Sequence, residues 1–264
     1  MTAKGAPAID AAGLAQGARL DDKIVIVTGA AGGIGACIAK HFAAAGATLL
    51  LADIQADHAT AIAQEIAARG GRAASTPVDI TDPDSARAMA AIAMRDYGRI
   101  DVLVACAGID APRGQAWSLA DAHWRNVIDT DLSGAWWCAK AVIPSMIRAR
   151  SGRMIFIGSV AGRRGSLGTS VAYNAAKAGI AGLTFGLARQ LEPHGILVNA
   201  VAPGPTGNTG EPMTDEEKAR EAATYPLGLG GPEPVAHACL YLAGQGGNWI
   251  SGTVLNVSGG RWQG

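Results

Sequence analysis

The run Ile24-Val-Ile-Val27 is wholly apolar, the pattern of a strand covered on both faces. A glycine-rich turn follows, and then apolar residues recur at helical spacing through Ile38, Phe42 and Ala45. The same alternation continues along the chain. Strands are predicted at Thr48 to Leu51, Arg72 to Val78, Val102 to Ala105, Met154 to Gly158, Ile196 to Ala200 and Thr253 to Val257. Helices are predicted at Ala59 to Arg69, Ser85 to Tyr97, one long stretch near Leu119 to Arg148, a segment around Tyr173, and Val235 to Ala243. Strands that alternate with helices imply a parallel sheet with helices on both faces. No repeat or composition break divides the pattern, so one α/β domain is expected from 20 to 264, with residues 1–19 a flexible N-terminal arm.

Composition narrows the function without naming it. The chain has 264 residues, of which 49% are hydrophobic, enough for a large core. Twenty-two basic residues balance twenty-two acidic ones, so no global field draws nucleic acid or an anionic membrane. No apolar run approaches the ~20 residues of a membrane-spanning helix. Met1 to Arg19 lacks the continuous apolar stretch of a secretory signal. Cys37, Cys106, Cys138 and Cys239 are scattered, as expected of reduced thiols in a cytoplasmic protein. The five histidines are dispersed, and no metal site is expected.

Chemistry enters with Tyr173 and Lys177, four residues apart on a predicted helix and so on one face. A cation beside a phenol favours phenolate, which lets the phenol trade a proton nearer neutral pH than about 10. Upstream, Thr28-Gly-Ala-Ala-Gly-Gly-Ile-Gly35 joins the first strand to the first helix, where glycines admit a pyrophosphate to backbone N–H groups. Asp53 ends the second strand, in place to accept hydrogen bonds from a ribose and to repel a 2′-phosphate. The lesser alternative is an ordinary surface aspartate that caps the next helix. No Arg or Lys lies between Thr28 and Ala39 to attract a phosphate, so NAD is favoured over NADP.

Taken in order, these residues resemble the short-chain dehydrogenase/reductase family from about Leu20 to Gly260. Thr28 to Gly35 is similar to its Thr-Gly-x-x-x-Gly-x-Gly turn, and Tyr173 to Lys177 to its Tyr-x-x-x-Lys. Ser159 in Ile157-Gly-Ser-Val-Ala-Gly162 matches its catalytic serine, and Val198 to Gly204 its nicotinamide-lining segment. The resemblance implies a Rossmann-type, doubly wound, seven-stranded parallel sheet. It also implies hydride exchange between NAD and a secondary alcohol or ketone. Tyr173 would give or take the proton, Lys177 would lower its pKa and bind ribose, and Ser159 would polarise the substrate oxygen. The implied cofactor contacts are Gly29, Gly33, Ile34, Gly35, Asp53, Ile54, Asp79, Ile80, Ala107, Gly108, Tyr173, Lys177, Pro203, Gly204 and Thr206.

Two positions depart from the family pattern. Ala105-Cys-Ala-Gly108 stands where Asn-Asn-Ala-Gly is common, which removes asparagine hydrogen bonds. Asp131 stands at the family's catalytic Asn, whose relay role runs through its main-chain carbonyl; the amide donor is lost unless Asp131 is protonated. The substrate pocket is expected along Ile109 to Trp117, Arg163 to Leu167 and a mobile segment from Thr206 to Tyr225. Arg113, Arg163 or Arg164 could meet a substrate carboxylate, or simply be solvated, and Trp117 could stack on a ring. A 3-oxoacyl-thioester reductase is the alternative within the same chemistry, and an idle NAD-binding scaffold the alternative outside it. The resemblance also implies a homotetramer. Adjacent Trp136 and Trp137 would either meet another subunit or fill a wide core face.

Overall fold

In the computed structural model, the described residues are 17–262 apart from 113, 167, 207–213, 224–226 and 229. The expected arm therefore lies mostly outside the described residues, as do Arg113, Leu167 and much of the segment from Thr206 to Tyr225. The strands are β1 Ile24–Thr28, β2 Thr48–Asp53, β3 Arg72–Pro77, β4 Val102–Ala105, β5 Gly152–Ile157, β6 Ile196–Pro203 and β7 Val254–Val257. They form one parallel sheet in the order β3-β2-β1-β4-β5-β6-β7. This is the expected Rossmann-type architecture.

Every residue of β1 is buried, because alternate side chains enter two separate cores. Val25 and Val27, with Leu49, Leu51 and Val104, pack against Ile38 and Phe42 of α1 (Gly33–Ala44), Ile66 of α2 (Ala56–Ala68) and Leu242 of α9 (Glu233–Ala243). Ile26, Leu50, Leu103 and Phe156 face the other way. They meet Met89 of α3 (Pro83–Tyr97), Met146 of α5 (Ala135–Ala149) and Leu187 of α7 (Val171–Leu191). The edge strand β3 shows what one covered face looks like, with exposed positions alternating along Arg72 to Ser75.

The long helix expected from Leu119 to Arg148 is broken up. A 3-10 turn at Ala116–Ser118 is followed by α4 (Asp121–Ile128), a π-helical turn at Asp129–Gly134, and then α5. Beyond β5 come a short α6 (Ala161–Arg164) and then α7; α8 (Asp215–Ala223) precedes α9. Ser170 caps α7, its hydroxyl accepting the Tyr173 N–H at 3.1 Å. Among the described residues no helix is long and apolar enough to cross a membrane, and no group of three His, Cys, Asp or Glu could hold a metal ion.

Candidate active site

β1 and β4 are neighbours, yet the chain leaves them toward opposite sides of the sheet, so a crevice opens at their C-terminal ends. Thr28 closes its floor: its buried hydroxyl accepts the N–H groups of Cys106 at 3.1 Å and Ala107 at 3.4 Å. Gly29 lies against that second strand end with φ 67°, and a Cβ there would sit 2.6 Å from the Ala107 Cα. Gly35 presses on the Gly29 carbonyl, where a Cβ would come within 2.1 Å of the oxygen. These contacts shape the turn as a bare-backbone cradle, with Gly33 and Ile34 opening α1 and no side chain capping it. The donor set and the lack of side-chain bulk fit a pyrophosphate.

Asp53 stands at the end of β2 beside this cradle. Its Oδ2 accepts the Ala31 N–H at 2.9 Å and its Oδ1 the Gln55 N–H at 2.9 Å. Each carboxylate oxygen keeps a second lone pair for a ribose hydroxyl. Ile54 beside it is 68% exposed, an apolar surface on the same rim. Asp79 spends its Oδ1 on the Thr81 N–H at 2.9 Å and hydroxyl at 2.7 Å, shaping the turn into α3. Ile80 is buried against Gly134 of the π turn. Pro203 and Gly204 end β6, tied to Val160 and Val257, and Thr206 pairs with Gly230.

The charged and proton-handling residues converge from three places in the chain: α7, the segment just past β5, and the π turn. Lys177 Nζ lies 5.4 Å from the centre of the Tyr173 ring and donates to the Ile157 carbonyl at 3.2 Å. The Ser159 hydroxyl, just past β5, accepts the Ala161 N–H at 3.1 Å and lies near enough to the phenol to favour its ionised form. Asp131, delivered by the π turn, places Oδ2 3.0 Å from Lys177 Nζ, while its Oδ1 accepts the Ile109 N–H at 2.7 Å. Gly108 passes directly over this pair, where a Cβ would lie 3.0 Å from Asp131 Oδ2 and 3.1 Å from Lys177 Nζ.

Burial works to lower the Lys177 pKa, but Asp131 and Tyr173 raise it, and the ammonium stays charged. For Asp131 burial pushes the carboxyl up, while Lys177 and the Ile109 N–H pull it down, with a net rise. The two directions oppose one another, since one favours a neutral acid and the other a charged base. The short Oδ2–Nζ distance and the N–H donated to Oδ1 support the ionic form. Tyr173 differs from expectation. Lys177 does act to lower its pKa, but burial outweighs it and Asp131 opposes it, so the phenol is raised above its ordinary value.

Asp110 has a place here that the motif spacing did not signal. Its Oδ1 accepts the Ser170 hydroxyl at 2.7 Å and the Ser170 N–H at 3.3 Å, fastening the start of the Tyr173 helix to the segment after β4. Cys106, in the place of the family's asparagine, has its thiol pushed up to about 12 by burial and stays neutral. Arg163 lies 4.7 Å from the Trp262 ring, Arg164 is exposed, and Trp117 is 85% exposed. Trp136 and Trp137 are both half-buried against the core, with Lys140 over the two rings. A small cavity of about 200 Å³ adjoins the start of α7, lined by Pro112, Gln115, Leu119, His123, Ser170 and Val171. A larger one of about 730 Å³ opens at the opposite, N-terminal ends of the central strands, around Arg19, Asp101 and Asn248, and touches none of this chemistry.

A glycine cradle at the switch point, with Tyr173, Lys177 and Ser159 gathered at the adjoining strand ends, matches a dinucleotide-dependent oxidoreductase. The model of the short chain dehydrogenase family matches residues 23–221, and the chain belongs to that family. It is similar to the cis-4-hydroxycyclohexanecarboxylate dehydrogenase of Sinomonas cyclohexanicum, 39% identical over 93% of this chain and 98% of that protein. It is also 37% identical to the 3-oxoacyl-[acyl-carrier-protein] reductase FabG of Escherichia coli (strain K12), over 92% of this chain and 98% of the relative. The crystal structure of a short-chain type dehydrogenase/reductase from Mycobacterium marinum superposes with a TM-score of 0.86 at 30% identity, covering 92% and 96% of the two chains.

Proposed function

We propose that this oxidoreductase exchanges a hydride between NAD and a small secondary alcohol or its ketone, with Tyr173 as the acid/base. The observation that carries this is the meeting of Tyr173 with Lys177, a buried cation 5.4 Å from the ring, with Ser159 near enough to favour the ionised phenol. Bound NAD would supply or accept the hydride. Gly29, Gly33, Ile34 and Gly35 would hold its pyrophosphate, and Asp53 its adenosine ribose, with Ile54, Asp79, Ile80, Ala107 and Gly108 lining the adenosine side. Pro203, Gly204 and Thr206 would flank the nicotinamide, and Lys177 would reach its ribose. Ser159 would donate to the substrate oxygen, while Tyr173 delivers or removes the proton there.

NAD is preferred to NADP because a carboxylate held at the strand end by Ala31 repels a 2′-phosphate. Among secondary alcohols, a cyclic hydroxy acid is the first reading, a class suggested by the Sinomonas relative's name. A 3-oxoacyl thioester is the second, favoured by the similarity to the Escherichia coli reductase. The four free cysteines suit a cytoplasmic protein. Turnover of a panel of cyclic hydroxy acids, secondary alcohols and 3-oxoacyl thioesters with NAD(H) separates these, and a scaffold would bind NAD without reducing it. Tyr173→Phe should lower turnover by a factor on the order of 100 or more with NAD binding nearly unchanged. Wild-type turnover in that variant, with chemistry rate-limiting, overturns the reading.

A further inference from the structure

Asp131 is the one buried charge in the cluster that proton transfer itself does not use. Its side chain and that of Lys177 are 0% and 5% exposed, and Oδ2 meets Nζ at 3.0 Å. Ile109 fixes the other oxygen at 2.7 Å. Oδ2 receives no well-aligned hydrogen bond, so attraction between the charges is its main compensation. An anion and a cation locked together out of water present Tyr173 with something nearer a dipole than a bare cation, and a dipole's field falls off faster.

We propose that Asp131 is a positioning residue that cancels much of the Lys177 charge felt by Tyr173, so that the site rests with a neutral phenol, set to protonate a carbonyl oxygen rather than to deprotonate an alcohol. This rests on the acid/base reading of Tyr173. In the step concerned, the Tyr173 O–H bond breaks and an O–H bond forms on the substrate oxygen. The electron pair stays on the phenolate, solvent returns the proton, and reduced nicotinamide supplies the hydride to the carbonyl carbon.

The groups acting on the phenol come from every element around it. Lys177 on its own helix and Ser159 beyond β5 favour phenolate; Asp131 from the π turn and Asp110 after β4 oppose it. Cys106, just past β4, keeps its proton and adds no charge to the group. Asp110 is exposed and its charge is shared with Ser170, so water screens it; Asp131 has no such screening. Alcohol oxidation, which needs the phenolate, is therefore displaced toward alkaline pH, while ketone reduction holds through neutrality.

The test is Asp131→Asn, which keeps the side-chain shape and removes the charge, with Asp131→Ser made beside it. Lys177 keeps the Ile157 carbonyl in both. The rising limb of oxidation rate against pH should move down by about one pH unit or more. The phenolate absorbance of the cofactor-free protein, isolated by subtracting the same variant carrying Tyr173→Phe, should move the same way. A limb that stays put overturns the proposal. A limb that moves up overturns it as well, showing that Asp131 serves to keep Lys177 protonated, and failure of both variants to fold would make the role structural. Tyr173→Phe alone separates the two ideas: retained turnover sinks the acid/base reading, whereas lost turnover with an unmoved limb sinks only the charge cancellation.

Discussion

Gly162 lies against the backbone of Lys177 so closely that a Cβ on it would stand 2.4 Å from the Lys177 carbonyl carbon. The contact joins α6, just after Ser159, to the middle of α7, and so sets the distance between the serine hydroxyl and the phenol. Gly162→Ala meets backbone on the far side and cannot be absorbed by a rotamer change. The cost should be about 1–3 kcal/mol, with turnover falling further than stability because Ser159 moves off Tyr173. Thermal melting and steady-state rates on the same preparation check this. An unchanged melting temperature would refute the packing argument.

Asp53→Asn removes the charge at the end of β2 and keeps an acceptor for one of the two backbone N–H groups, those of Ala31 and Gln55, that the carboxylate holds. The ratio of kcat/KM with NAD to that with NADP should fall at least about tenfold, or about 1.4 kcal/mol. A wild-type enzyme that already prefers NADP would contradict both the variant's rationale and the cofactor choice.

Cys138 is fully buried, and its thiol is pushed from an ordinary 9.0 up to about 12 by burial. Below pH 9 both folded and unfolded chains keep the proton, and stability is unaffected. Between about 9 and 12 only the unfolded chain loses it, so this group destabilises the fold by about 1.4 kcal/mol per pH unit. Cys138→Ala lacks that loss. Urea unfolding at several alkaline pH values should show the stability difference between the two proteins closing as pH rises above 9. A constant difference would mean the thiol ionises as readily in the fold as out of it.

A homotetramer is expected. Trp249 is 99% exposed, Phe185 and Val171 show partly exposed apolar surface on α7, and every residue of β7 is half-buried on the open edge of the sheet. Apolar surface of this kind is what a neighbouring subunit would cover. Light scattering at micromolar concentration should give four chain masses; one chain mass would exclude assembly.

The strands were legible because burial on both faces leaves short, β-branched apolar runs such as Ile24 to Val27, closed off by turn residues such as the glycines from Gly29. The cradle was legible because glycines after such a strand have few other uses. Asp131 was visible as a departure from a motif, but what it touches was not, since Lys177 lies 46 residues away along the chain. The π turn left no trace in the periodicity, because one extra residue shifts the apolar face less than the face is wide. Ser170 could be read as a helix cap from its type and place. Its partner Asp110 is 60 residues distant and had no local signal. The net direction of the Tyr173 pKa has no local signal for a related reason: spacing reveals the cation four residues on, which does act to lower it, but neither the depth of burial nor the anion facing that cation.

The π turn at Asp129–Gly134 makes chain length part of the electrostatics. A turn of this kind is equivalent to one residue added within an α-helix, and each residue rotates the helix by about 100°. Removing a single residue between 129 and 134 would let α4 run straight into α5. The helix would gain regular backbone hydrogen bonds while Asp131 swung away from Lys177. Such a deletion would then leave a smoother helix with a different proton affinity at its neighbour. The spacing of residues in this stretch, as much as their identity, encodes the charge that the phenol meets.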